Sequence, residues 1–176
     1  GLYLRGAHGT ENSPIALIAY PDSMDFTRVV AGSEGLNPYV SEGIILSKYS
    51  ISVGAEHPSS PPTPAPPSKS SIHISTSKWG RSVGNLLLQN DDTCFTGYAG
   101  AITSGREGAH KHKVLGNEIS NLGCDNSSRY SHTLYLSIRD EGSSIEAPEI
   151  AYNYLHDNNV ICGIHAYDES YSGDCG

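Results

Sequence analysis

Four residues in the C-terminal half of the chain have side chains suited to proton transfer or metal binding. They are His132, His156, Asp157 and His165. Imidazole changes charge near neutral pH and, when neutral, is a common metal ligand. His156 follows a recurring asparagine by three residues and His132 opens a strand-like phrase, so the two can converge where a turn meets the neighbouring strand. We take the set as the candidate catalytic site; the alternative is that both histidines are turn residues that hydrogen-bond the backbone.

A basic cluster stands out in an otherwise acidic chain. It comprises Arg106, His110, Lys111, His112 and Lys113. If residues 110–113 are extended, both histidines lie on one face and both lysines on the other. Arg106, Lys111 and Lys113 are therefore candidates for binding the carboxylates of an acidic glycan, and a solvated loop is the alternative.

Tyrosine dominates the aromatic residues, with 11 copies against two phenylalanines and one tryptophan. Tyr135, Tyr154 and Tyr167 are candidates for lining a sugar-binding groove. Candidate oxygen ligands for Ca²⁺, which prefers six to eight oxygens from several segments, are a further set. They are Asp91, Asp92, Asp168, Glu169 and Asp174.

An internal repeat must position these side chains. Asn85, Asn117 and Asn153 recur in one short phrase at spacings of 32 and 36 residues. A period of this size is typical of a solenoid. Asparagines at equivalent turns can hydrogen-bond through their amides along the stack, so we interpret the three as a structural ladder.

A second recurring phrase consists of a small residue followed by a short alternating strand. It occurs at residues 43–47, 71–75, 100–104, 132–137 and 163–167. Helix signals are nearly absent. The pattern predicts an all-β fold, a right-handed parallel β-helix (solenoid) of about five or six coils with long loops. We expect one domain over 1–176, interrupted at 58–68 by a Pro-rich loop, because proline cannot donate to a sheet ladder.

The four cysteines fall at similar places on successive repeats. Cys94, Cys124 and Cys162 follow the ladder asparagines by nine, seven and nine residues. Adjacent coils lie about 4.8 Å apart, within the roughly 4.4–6.8 Å that a disulfide accepts between Cα atoms. The pairs are either Cys94–Cys124 with Cys162–Cys175, which we favour, or Cys124–Cys162 with Cys94–Cys175. Four reduced cysteines in a buried ladder are the alternative.

Composition limits the partners and the setting. The net charge of −8 argues against nucleic acid, whose phosphates need a basic face. The sequence has no apolar run of the length that spans a membrane. The cysteines favour a secreted, extracellular protein, and Asn126 begins an Asn-x-Ser sequon, a candidate glycosylation site.

The phrases at residues 1–6, 131–137 and 153–165 resemble the right-handed parallel β-helix repeat proteins. That superfamily is similar to the pectate-lyase-like polysaccharide lyases, epimerases and hydrolases. The resemblance implies a base that abstracts a proton next to a uronate carboxylate, and Ca²⁺ or basic residues that neutralise that carboxylate. It also implies a capping segment and first coils before residue 1.

Two classes of function follow. One is a secreted carbohydrate-associated β-helix that acts on an acidic glycan as a lyase, epimerase or hydrolase. The other is a non-catalytic structural β-helix that stacks head to tail into an extracellular fibre or binds glycan. The partners expected are a polysaccharide or further copies of the chain, rather than nucleic acid or a membrane.

Overall fold

In a computed structural model, the described residues are 2–19, 28–30, 34–39, 41–53, 68–74, 78–89, 98–104, 111–123, 131–138 and 148–168. Structural statements below refer to this part of the chain. It contains sixteen β-strands and no helix. In chain order they are β1 (Leu2–Arg5), β2 (Ile15–Ile18), β3 (Arg28–Val30), β4 (Glu34–Tyr39), β5 (Ile44–Ser47), β6 (Ser50–Val53), β7 (Ser68–Ile74), β8 (Arg81–Val83), β9 (Leu86–Gln89), β10 (Tyr98–Ser104), β11 (Lys113–Leu115), β12 (Glu118–Ser120), β13 (Ser131–Ile138), β14 (Glu149–Ala151), β15 (Tyr154–His156) and β16 (Cys162–Asp168).

The strands form three all-parallel sheets. Within a sheet, each strand pairs with the strand three before it and the strand three after it in the chain. The first sheet has the order β1-β4-β7-β10-β13-β16, the second β14-β11-β8-β5-β2 and the third β15-β12-β9-β6-β3. The chain therefore makes five successive three-strand turns and begins a sixth with β16. The prediction of an all-β fold of stacked parallel strands, as in a β-helix, is confirmed.

Each sheet sends a column of apolar side chains into a shared core. In the first sheet, Ile72, Ile102 and Leu134 are in register and have no exposed surface. In the third, Ile51, Leu87 and Ile119 are in register and at most 1% exposed. Parallel stacking places equivalent residues over one another, so one apolar position per strand is repeated in every turn. This repetition builds a continuous core from strands of three to eight residues.

The asparagine ladder occupies the turn between the second and third sheets. Asn85 donates from its backbone N and its Nδ2 to Asn117 Oδ1, at 3.1 and 3.0 Å. Asn117 repeats both bonds to Asn153 Oδ1, at 2.9 Å each. At the upstream end, Asn85 Oδ1 accepts the backbone N–H of Tyr49 at 3.0 Å. Each amide thus satisfies buried backbone groups of the neighbouring turn.

A left-handed residue precedes each ladder position. The residues are Lys48, Gly84, Gly116 and Tyr152, with φ between 60° and 62°. The left-handed region costs a residue other than glycine roughly 1–2 kcal/mol. The space around a Cβ at Gly84 or Gly116 is open, so glycine serves the backbone angle there and not the packing.

One sequence-based strand assignment needs correction, and one strand was missed. The phrase at 43–47 does not belong with the other four, because Ile44–Ser47 is β5 of the second sheet whereas residues 71–75, 100–104, 132–137 and 163–167 overlap strands of the first. The first-sheet strand of that turn is β4 (Glu34–Tyr39), which the sequence did not reveal. Alternation reports which side chains face inward but not which of three sheets a strand joins.

Several predictions fall outside the described residues. The Pro-rich stretch is among them, apart from Ser68, which begins β7. So are Cys94, Cys124, Cys175 and the sequon at Asn126. Cys162 lies within the described part; it is 6% exposed and is not a free thiol. No disulfide has both cysteines in this part, so the pairing stays a prediction. Among the described residues there is also no helix long and apolar enough to cross a membrane.

Candidate functional site

His132, His165 and Tyr135 come together on two neighbouring strands of the first sheet. His132 and Tyr135 lie on β13, and Tyr135 is in register with His165 on β16. His132 Nε2 and His165 Nδ1 are 3.3 Å apart. The Tyr135 ring stacks on His132, with centroids 5.3 Å apart at 20°, and meets the edge of His165 at 5.2 Å and 85°. The structure thus builds a compact His–His–Tyr cluster.

An interruption in strand alternation brings His132 to the side occupied by Tyr135. On a regular strand, residues three apart point to opposite faces. Here the adjacent Thr133 and Leu134 are both fully buried, so the alternation breaks between the two rings. The register pairs His132 with Cys162 and Leu134 with Ile164, and skips the position between. The sequence pattern alone assigned Tyr135 to a groove but could not place it against His132.

Burial controls the protonation of His132. Its side chain is 4% exposed, and its Nδ1 is buried with no hydrogen-bond partner among the described residues. Desolvation, followed by the nearby charge of His165, lowers the His132 pKa to about 4. His132 is therefore neutral at pH 7. One of the two facing nitrogens, His132 Nε2 or His165 Nδ1, carries the shared proton and the other accepts it.

A second cluster, centred on His156, lies on the outer face of the third sheet. His156 Nδ1 is 2.8 Å from Asp157 Oδ2, and Nε2 is 3.2 Å from Glu118 Oε1. Tyr154 stacks on the imidazole with centroids 4.2 Å apart at 21°. Hydrogen bonds to Asp157 and then to Glu118 raise the His156 pKa. Glu118 was missed in the sequence, although it follows Asn117 as Tyr154 follows Asn153, so aligning the repeats would have found it.

We expect the His156 cluster to stabilise the protein at acidic rather than basic pH. Because its folded-state pKa is raised, its contribution is complete below the unfolded value of about 6.5 and is lost as pH rises through the folded value. Urea unfolding at pH values from below about 6.5 upward should show the unfolding free energy of wild type falling, relative to that of His156→Gln, as pH rises. A constant difference between the two proteins across this range would contradict the assignment. Asp157→Asn should reduce the difference, since Asp157 supplies the largest contribution.

The lysines of the basic cluster are paired with carboxylates of the chain itself. Lys111 Nζ lies 3.3 Å from Glu11 Oε2, and Lys113 Nζ lies 2.8 Å from Glu149 Oε2. His112 between them is fully buried. Arg106 and His110 lie outside the described residues. Both lysines, one just before β11 and one on it, thus form ion pairs with carboxylates of the chain itself.

The candidate residues therefore divide among three sheets. His132 and His165 are joined on the first sheet, whereas His156 and Asp157 are joined on the third. Tyr154 belongs with the second pair and Tyr135 with the first. Tyr167 lies on β16, but its side chain is outside the described part, as are Asp91, Asp92, Glu169 and Asp174. Asp168 ends β16.

Comparison with known proteins does not assign the chain to a family. The chain matches no protein-family model, and the comparisons with the curated proteins and with the solved structures found no match. Within the described strands and turns, no three His, Cys, Asp or Glu residues are arranged to hold a metal ion. Four of the five candidate Ca²⁺ ligands lie outside the described residues, so Ca²⁺ binding stays a prediction, and we assign no step to that ion.

Proposed function

We propose that the chain is a secreted, right-handed parallel β-helix of the pectate-lyase-like type that acts on an acidic polysaccharide. The observation that carries the proposal is the contact of 3.3 Å between His132 Nε2 and His165 Nδ1 beside Tyr135. A buried neutral imidazole that orients a more exposed one is an arrangement suited to general-base catalysis. The resemblance of the repeats to pectate-lyase-like proteins supports the fold type, and the acidic substrate is what that resemblance implies.

In the proposed reaction His165 is the base and His132 is a positioning residue. His165 is half-buried, whereas His132 is almost fully buried. With His165 Nδ1–H donating to His132 Nε2, Nε2 is the nitrogen of His165 that we propose as the base. That nitrogen takes the proton from the carbon next to the uronate carboxylate, and the C–H electrons form a C=C bond as the glycosidic C–O bond breaks. The leaving oxygen takes a proton from Tyr135 or water.

The positively charged His165 then keeps its hydrogen bond to neutral His132. A neutral acceptor does not trap the proton as a carboxylate would, so His165 can release it after each turnover. Reprotonation of the same carbon from the opposite face would give epimerisation instead of cleavage. Because Lys111 and Lys113 are paired with Glu11 and Glu149, Arg106 is the proposed partner of the substrate carboxylate.

The test is an assay for unsaturated products on alginate, polygalacturonate and hyaluronan, followed by ultraviolet absorbance. We expect wild type to act on at least one polymer and His165→Ala to lose about 10²–10⁴-fold in kcat. His156→Ala, on the third sheet, is the matched control and should retain the rate. Proton–deuterium exchange at the uronate carbon should be measured in parallel, because an epimerase releases no unsaturated product. Failure of wild type in both assays, or full activity of His165→Ala, would overturn the proposal.

End-to-end stacking into a fibre is the second candidate. Its support is Ile164 on β16, which continues the apolar column of Ile102 and Leu134 but is 46% exposed. An apolar residue at a terminal strand can be covered by another copy of the chain. Light scattering with negative-stain imaging distinguishes the two candidates. Filaments that Ile164→Lys dissolves would favour assembly, and a monomer at all concentrations would exclude it.

A further inference from the structure

Tyr152 occupies a backbone position that glycine fills in the two preceding turns. Its φ is 60°, matching Gly84 at 61° and Gly116 at 60°. The ring is nonetheless 91% exposed and contributes little to the core. A left-handed backbone is a local cost for any residue other than glycine, and Lys48 bears it as well, but among the four residues of this column only Tyr152 combines that cost with an exposed aromatic ring. The side chain therefore invites an explanation outside the solenoid.

Tyr154 presents a second exposed ring two residues further on. It is 61% exposed, and one of its faces is stacked on His156. The contacts of His156 with Asp157 and Glu118 hold the imidazole and thus fix the orientation of the Tyr154 ring. Both carboxylates are themselves substantially exposed, with side-chain values of 75% and 51%. A pre-oriented aromatic ring thus stands beside two hydrogen-bond acceptors that face solvent.

We propose that Tyr152, Tyr154, Glu118 and Asp157 form a binding surface for neutral sugar rings on the third sheet and the turn that leads into it, separate from the acid–base cluster of the first sheet. The C–H faces of a pyranose are apolar and can stack on tyrosine rings, whereas its hydroxyl groups donate to carboxylates. The proposal does not depend on the reaction at His165.

Charge selects neutral sugars over acidic ones at this surface. With His156 protonated, the cluster of His156, Glu118 and Asp157 carries a net charge of −1, and with His156 neutral it carries −2. The carboxylate of a uronate would meet like charge and is disfavoured. This surface would therefore hold an uncharged part of a glycan, or an uncharged polymer beside the acidic one.

The matched pair of variants is Tyr152→Gly and Lys48→Gly. Both replace a left-handed residue in the same turn column, and Lys48, with φ of 62°, is also exposed. Each should raise the midpoint of thermal unfolding, since glycine adopts this conformation without the steric cost. Only Tyr152→Gly should weaken sugar binding, by about tenfold or more. Tyr154→Ser should weaken it as well.

Binding would be measured by calorimetry on the full chain with neutral β-linked gluco-, xylo- and manno-hexasaccharides. The expected result is that wild type and Lys48→Gly bind one of the three hexasaccharides with equal affinity and that Tyr152→Gly binds the same one about tenfold or more weakly. Equal binding by Tyr152→Gly, or no binding by wild type, would overturn the proposal. A change in oligomeric state on Tyr152→Gly, with sugar affinity unchanged, would overturn it in favour of a second copy as the occupant. Turnover of an acidic polymer by Tyr152→Gly should equal that of wild type, so this test and that of His165 fail separately.

Discussion

Replacing Asn117 by alanine should destabilise the protein by about 4 kcal/mol, the largest single-residue effect that we expect on stability. Asn117 is 1% exposed, and its Oδ1 accepts from Ser82 Oγ and from both the backbone and side-chain nitrogens of Asn85. Its Nδ2 donates to Ser82 O and Asn153 Oδ1. Alanine leaves several of these buried groups without a partner, and each such loss costs roughly 1–3 kcal/mol. Urea unfolding at neutral pH measures the difference.

Asn153→Ala is the matched control at the end of the same ladder. Its side chain is only partly buried; its Oδ1 accepts from the backbone N and Nδ2 of Asn117, and its Nδ2 donates to Val114 O at 2.8 Å. Water can replace part of what that side chain supplies, so the loss should be about 1–2 kcal/mol. If both variants lost the same free energy, the ladder would not depend on burial as argued. If Asn117→Ala were neutral, the amide network would be shown to contribute nothing.

The ladder and the stacked strands were predictable because each is a repeated position. In parallel stacks, equivalent residues sit over one another, so a recurring asparagine in the sequence becomes a column of amides in space. The apolar columns follow from the same rule: Ile102 and Leu134 were both within recurring phrases, and they are in register. Periodicity therefore contains the pairing information that single strands lack.

The candidate site was less predictable because it depends on departures from the repeat. His132 meets Tyr135 only where Thr133 and Leu134 are buried in succession, an irregularity that alternation cannot forecast. The predicted convergence of His132 with His156 assumed one turn region. Instead His132 contacts residues of the first sheet and His156 contacts residues of the third. Three sheets per turn offer three outer faces, and a linear pattern does not distinguish them.

His156 and His132 make the stability of the protein depend on pH in opposite directions. Hydrogen bonding raises the pKa of His156, so its contribution is lost as pH rises above about 6.5. Burial lowers the pKa of His132 to about 4, so its contribution is lost as pH falls. A maximum of stability between the two ranges follows from these two groups alone.

Acidification from about pH 6.5 to about pH 4 should cost the protein up to about 3 kcal/mol through His132. The unfolded chain binds a proton on this imidazole below about pH 6.5, whereas the folded protein resists protonation until about pH 4. Over that interval the unfolded state holds more protons, and stability falls with pH. Urea unfolding of wild type and of His132→Phe at several pH values measures the effect. His132→Phe keeps an aromatic ring against Tyr135 and should have a flatter profile.

A graded variant separates the two causes of the shift. His165→Phe removes the neighbouring charge but leaves His132 buried. The loss of unfolding free energy that His132 causes on acidification should therefore become smaller without vanishing, because desolvation is the larger cause of the lowered pKa. Equal slopes for wild type and His132→Phe would show that this imidazole is not held neutral by the fold. Loss of the whole pH effect in His165→Phe would instead make the charge of His165 the dominant cause. Only the expected order, with the slope of His165→Phe between those of wild type and His132→Phe, supports a His132 that stays neutral mainly through burial.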